Sequence, residues 1–108
     1  MNIDIRDPYV HLYSRIAAFG HLGAGRHVEA VDWFQRADQL APGLPPTLAG
    51  LAVSRWLDGD EDGAHNALVR LLEEEPEFRL YEMHPLPYRD HGRWARFVEA
   101  MRRTGAPD

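Results

Sequence analysis

The acidic segment Asp58-Gly59-Asp60-Glu61-Asp62-Gly63 contains the residue types that come closest to a metal site. Its carboxylates stand at the first, third and fifth positions and a glycine stands at the sixth, as in a calcium-binding loop. The twelfth position of such a loop needs a bidentate glutamate, but this chain has Val69 there. Acidic side chains also stabilise the positively polarised start of a helix. We therefore expect this segment to begin a helix and predict no metal site.

The six histidines are the other residues that could bind a metal or transfer protons. None is four residues from another, and none has a carboxylate at the spacing of a zinc site. Ser14 and Ser54 lack the context of a serine nucleophile, and Gly20–Gly25 does not match the pattern of a dinucleotide-binding loop. We predict no catalytic residue, no cofactor and no enzyme activity, and we interpret the histidines as solvated or edge-packed. They stand at positions 11, 21, 27, 65, 84 and 91.

The composition excludes several further classes of function. All twelve positively charged residues among the 108 are arginines, so Schiff-base lysines and the lysine of a phosphate-binding loop are absent. The chain has no cysteine, which rules out disulfides and thiolate chemistry. The net charge of -5 argues against nucleic-acid binding. No apolar run suits a secretion signal or a membrane span, so we expect a cytoplasmic protein with no membrane contact.

The elements that carry these residues repeat at an offset of 34 positions along the chain. Gly25 aligns with Gly59 and Pro42 aligns with Pro76, which gives each unit the order helix, turn, helix, proline. Glycine suits a short turn that needs a positive φ, and proline ends the second helix. The other matched pairs are Ala18 and Ala52, Phe19 and Val53, Glu29 and Gly63, Ala30 and Ala64, and Phe34 and Leu68.

Helical spacing of the apolar residues sets the expected architecture. Ala30, Phe34 and Ala37 follow one another at intervals of four and three residues, which is one stripe of an amphipathic helix. The small alanines let the two helices of each unit approach closely. We predict an all-α protein with helices near residues 8–22, 26–41, 45–58 and 61–75.

The second helix of the first unit resembles that of the tetratricopeptide repeat. The residues that carry the resemblance are Glu29-Ala30-Val31-x-x-Phe34-x-x-Ala37 followed by Pro42. The resemblance covers two repeats, residues 11–44 and 45–78. It implies an array of helical hairpins, here one domain spanning 1–108.

A last helix is predicted from Asp90 to Thr104, after a connector at 79–89. Trp94, Phe97, Val98 and Met101 form an apolar stripe along it, so it is expected to cap the end of the array. Three segments of the last third of the chain resemble the repeat tails of bacterial adenylate or guanylate cyclases and of some winged-helix regulators. They are Leu71-Leu72-Glu73-x-x-Pro76-x-Phe78, Pro87-Tyr88-Arg89-Asp90 and Arg102-Arg103-x-Gly105-x-Pro107.

The resemblance implies a non-catalytic scaffold that binds a peptide or protein segment on the concave face formed by its first helices. The alternative is a self-associating or regulatory tail in bacterial signal transduction, in which the partner is a second copy of the chain. Carried over by position, the binding residues are Arg15, Phe19, Leu22, Ala49, Val53 and Trp56.

Overall fold

A computed structural model describes residues 10–79 and 91–107, and within these ranges the protein is all α, with no strand. The predicted all-α class is therefore confirmed, and the predicted helix ends that fall on described residues lie within two residues of the observed ones. The predicted start of the first helix, at residue 8, lies outside the described residues. Asp90 and almost all of the predicted connector lie outside the described residues. The helices are α1 (Val10–Gly23), α2 (His27–Leu40), α3 (Pro45–Leu57), α4 (Glu61–Glu74) and α5 (His91–Thr104).

The turns that follow α1 and α3 have the same backbone structure. Gly25 has a φ of +80° and Gly59 has a φ of +86°, a region that favours glycine because it has no Cβ. In the first turn Gly25 N–H donates to the Leu22 carbonyl at 3.1 Å, and Arg26 N–H donates to the His21 carbonyl at 2.9 Å. The predicted equivalence of the two glycines is confirmed, since both bonds recur 34 residues later: Gly59 to Trp56 at 3.1 Å and Asp60 to Arg55 at 2.8 Å.

The acidic segment begins α4, as predicted. The Asp60 carboxylate caps the helix by accepting a hydrogen bond from Gly63 N–H at 2.9 Å. A Cβ on Gly63 would collide with that carboxylate, and the Arg55 side chain lies on the same spot. In the first unit Glu29 stands at the position of Gly63, and the corresponding helix has no side-chain cap.

The two pairs of helices pack together through α2 and α3. Within each pair α1 packs against α2 and α3 packs against α4. Across the pairs, the ring of Phe34 on α2 lies directly on the backbone of Gly50 on α3, where a Cβ would collide with it. The same ring meets Phe19 of α1 edge-on, with the centroids 4.9 Å apart. One buried side chain thus joins three helices.

A polar contact also connects the two pairs. The two terminal guanidinium nitrogens of Arg70 on α4, Nη1 and Nη2, donate to the Asp38 carboxylate on α2, at 2.7 and 3.0 Å. Gly43 N–H donates to the same carboxylate at 3.1 Å. Burial alone would raise the pKa of Asp38, but the hydrogen bonds and charge of Arg70, with the Gly43 amide and the charge of Arg55, hold it below its ordinary value of 3.8.

We expect Gly50→Ala to destabilise the protein and Gly20→Ala to stabilise it slightly. Alanine has the higher helix propensity at both positions, worth about 1 kcal/mol. At Gly50 the added methyl displaces Phe34, and such overpacking costs roughly 1–3 kcal/mol. At Gly20 a Cβ meets open space. Thermal melts of the two variants measure the difference, and a Gly50→Ala protein that melts at or above the wild-type temperature would contradict the packing described here.

The ion pair predicts a pH dependence that Asp38→Asn should remove. A carboxyl whose pKa is lower in the folded state adds stability above its unfolded pKa, and that stability is lost as the pH falls through the folded value. The stability difference between wild type and Asp38→Asn should therefore stay constant above about pH 5 and shrink below the ordinary pKa. Urea unfolding of both proteins from pH 7 downward tests this. Parallel stability curves in the acid range would show that Asp38 makes no such contribution.

Candidate functional site

Helix α5 packs mainly on the second unit. It contacts α3 and, less extensively, α4, and its Phe97 ring lies 6.1 Å from the ring of Phe19 on α1. Its buried residues follow one stripe, and Val98 is half-buried at the edge of that stripe. The Trp94 side chain lies outside the described part of α5. The buried residues are Phe97, Ala100, Met101 and Thr104, with Ala106 beyond the helix.

The structure divides the six predicted binding residues into two groups. Phe19, Leu22, Ala49 and Val53 are buried and belong to the hydrophobic core of the chain. Arg15 and Trp56 are half-buried, and Trp56 packs against the core from its edge. Helix α5 contacts α3 and α4, and its Arg96 and Phe97 lie on the face that these residues were expected to leave open. The apolar stripe of α5 signalled in the sequence that this helix packs on the array, but not which side chains it meets.

A groove of about 450 Å³ remains where this face meets the α1–α2 turn. Leu22 and Val53 are the two predicted binding residues that reach it, and Leu57 and Phe97 add apolar surface that the sequence analysis did not assign to a site. Its volume falls in the range of roughly 300–1,000 Å³ that is usual for ligand pockets. We name it the α1–α3–α5 groove. It is lined by Leu22, Gly23, Ala24, Gly25, His27, Val53, Leu57, Arg96 and Phe97.

Arg96 is the one permanently charged residue among the described residues that line the α1–α3–α5 groove. His27 and Arg96 line it together with apolar and glycine residues, and no carboxylate is among the described lining residues. Leu57 at the end of α3 is 43% exposed, so a partner can reach this part of the wall directly. The groove can bind an apolar group of a ligand. Arg96 favours an acidic rather than a basic group next to that apolar group.

The polar side chains that could perform chemistry are engaged in local structure. The hydroxyls of Ser14 and Ser54 are buried and donate to the carbonyls of Val10 and Gly50, at 3.0 and 2.8 Å. Within residues 10–79 and 91–107, no group of three or more histidine or acidic side chains is placed to hold a metal ion.

His21 belongs to a stack on the surface of α1 and α2. Its Nδ1 accepts a hydrogen bond from Arg26 Nε at 2.9 Å. Its ring stacks on Trp33 with the centroids 6.4 Å apart, and the guanidinium of Arg36 lies 4.9 Å from the centre of the Trp33 ring. The contacts fit the edge-packed interpretation of this histidine.

Comparison with protein-family models, with curated proteins and with solved structures finds no match to this chain. Among the described helices, none has the length and apolar character needed to cross a membrane.

We expect removal of α5 to unfold the protein or make it aggregate. Its buried stripe packs on α3, and its Phe97 ring lies beside that of Phe19. Burying each large apolar side chain contributes up to roughly 1.5–3 kcal/mol. Two or three such side chains approach the whole stability of a small domain, about 5–15 kcal/mol. Circular dichroism and size-exclusion chromatography of a protein ending at residue 89 test this. A monomeric truncated protein with a cooperative melt would show that α5 is not needed for the fold.

Proposed function

We propose that this protein is a non-catalytic interaction module that binds a peptide or protein segment in the α1–α3–α5 groove. In this proposal the chain is a short tetratricopeptide-like array of two helical hairpins, closed by α5. The 34-residue repetition of the turn hydrogen bonds supports the relationship of the two units. The resemblance to repeat tails of signalling proteins favours a role as a scaffold in a cytoplasmic signalling pathway.

The observation that carries the proposal is the apolar groove itself. Leu22, Val53 and Phe97 are buried residues of its lining, and Leu57 is an exposed one. Apolar pockets with a few polar groups at their edges are the usual form of binding sites. The site differs from the concave surface that the sequence predicts, because only Leu22 and Val53 of the six predicted residues line it.

The expected ligand is a segment with one or two large apolar side chains. Such anchors in a desolvated pocket supply most of the binding energy in protein interfaces. His27 and Arg96 favour a segment whose flanking residues are neutral or acidic, because the described lining contains no carboxylate to pair with a cation. The local engagement of Ser14 and Ser54 is consistent with a role in binding rather than in catalysis.

The proposal is tested by selecting ligands from a phage-displayed library of random peptides and measuring their binding by fluorescence anisotropy. We expect selected peptides to contain a large apolar residue and to lose at least about tenfold in affinity with Leu57→Glu, a cost of about 1.4 kcal/mol. The matched control is Leu40→Glu. Leu40 lies at the end of α2, does not line the groove and is 39% exposed, close to the 43% of Leu57.

Circular dichroism of both glutamate variants establishes that each is folded before binding is compared. Failure to select any peptide would contradict the proposed function. Peptides that bind Leu57→Glu as tightly as Leu40→Glu would show that the interaction uses another surface.

A further inference from the structure

Helix α1 has an apolar outer face that no described part of the chain covers. Arg15 is its only residue of permanent charge, and α3 likewise carries only Arg55. A helix of this composition is normally enclosed on all sides, as α3 is by its neighbours. On α1, by contrast, Tyr13 is 44% exposed and Ile16 is 55% exposed.

The 34-residue offset shows what this face is built to do. The residues of α3 that correspond to the exposed face of α1 are Thr47, Gly50, Leu51 and Ser54, and all four are buried. Gly50 is the residue on which α2 places Phe34. The corresponding face of α1 is thus a helix-packing surface on which none of the described helices packs. We name it the α1 outer stripe; it consists of Tyr13, Ile16, Ala17 and Gly20.

Gly20 adds an independent observation. It lies inside α1, where glycine costs about 1 kcal/mol relative to alanine. A Cβ at this position would meet nothing within 4 Å, so no neighbour in the described chain requires its absence. The bare backbone at Gly20 leaves a shallow depression on the α1 outer stripe. The exposed ring of Tyr13 lies on the same face of the helix, about two turns away.

We propose that the α1 outer stripe is the interface of a homodimer. In an antiparallel arrangement centred between Ile16 and Ala17, Tyr13 of one copy lies opposite Gly20 of the other. The large ring then rests on the bare backbone, and each Ile16 lies beside Ala17 of the second copy. A second copy is the favoured occupant because the stripe is complementary to itself in size and carries no charge that would repel its own image.

The dimer is expected to be weak. A stable interface buries about 800 Å² on each partner, and four side chains of a single helix provide less than that. Association should therefore depend on concentration, in a range of roughly 10 µM to 1 mM. The proposal does not depend on the peptide site, because none of the four stripe residues lines the α1–α3–α5 groove.

Sedimentation velocity of the full chain across that concentration range tests the dimer. We expect the average mass to rise from 12.3 kDa toward twice that value, and Ile16→Glu to remain monomeric throughout. Val69→Glu is the matched control: Val69 is an aliphatic residue on α4 that is 39% exposed, and its substitution should leave association unchanged. A wild-type chain that stays monomeric, or equal loss of association in both variants, would overturn the proposal.

Gly20→Leu separates the proposed geometry from nonspecific hydrophobic attraction. The substitution adds apolar area and improves helix propensity, so the thermal midpoint should not fall. It also fills the depression that receives Tyr13, so dimerisation should weaken by about tenfold or more. Stronger association in Gly20→Leu would overturn the proposed arrangement. So would a lower thermal midpoint of monomeric Ile16→Glu, which would show that residues 1–9 cover the stripe within one chain.

Discussion

The contact between Phe34 and Gly50 determines how the two halves of this protein fit together. Close approach of α2 and α3 requires that α3 present bare backbone at this point, since any Cβ there would displace the ring. Phe34 also meets Phe19 edge-on, and Phe19 in turn lies against Phe97 of α5. The chain of rings therefore runs from the junction of the two units to the closing helix. Interiors packed this tightly transmit the loss of one contact to the next.

The polar contacts act on this packing at the surface. The paired hydrogen bonds between Asp38 and Arg70 fix α2 relative to α4, on either side of the apolar contact. With 16% of the Asp38 side chain and 43% of Arg70 exposed, the pair is partly solvated, so its main effect is geometric rather than a large gain in stability. The Gly43 amide on the same carboxylate ties the α2–α3 loop to this arrangement. Together these bonds connect the two pairs of helices and the α2–α3 loop.

The local features of the fold could be predicted from the sequence, and the long-range ones could not. Helix ends, turn glycines and buried alanines follow from spacing within about ten residues, where periodicity and backbone preference act. Gly50 carried no such signal, because a glycine in a helix looks unfavourable until its neighbour from another helix is known. The apolar stripe of α5 predicted that this helix packs on the array, but the sequence did not show which side chains of the earlier helices it meets, such as Phe19. Four residues that were expected on an open face are buried.

The position of α5 links stability to binding in a specific way. The same residue, Phe97, contributes to the core and to the wall of the α1–α3–α5 groove, so the groove exists only while α5 is docked. A ligand that contacts Phe97 and Val53 therefore binds the docked state alone, and by mass action it stabilises the whole fold. Ligands of the groove and substitutions at the α5 interface should consequently act on one equilibrium. None of the four residues of the α1 outer stripe is among the described residues that line the groove. The proposed dimer and the proposed peptide site therefore use different side chains, so substitutions can test them separately.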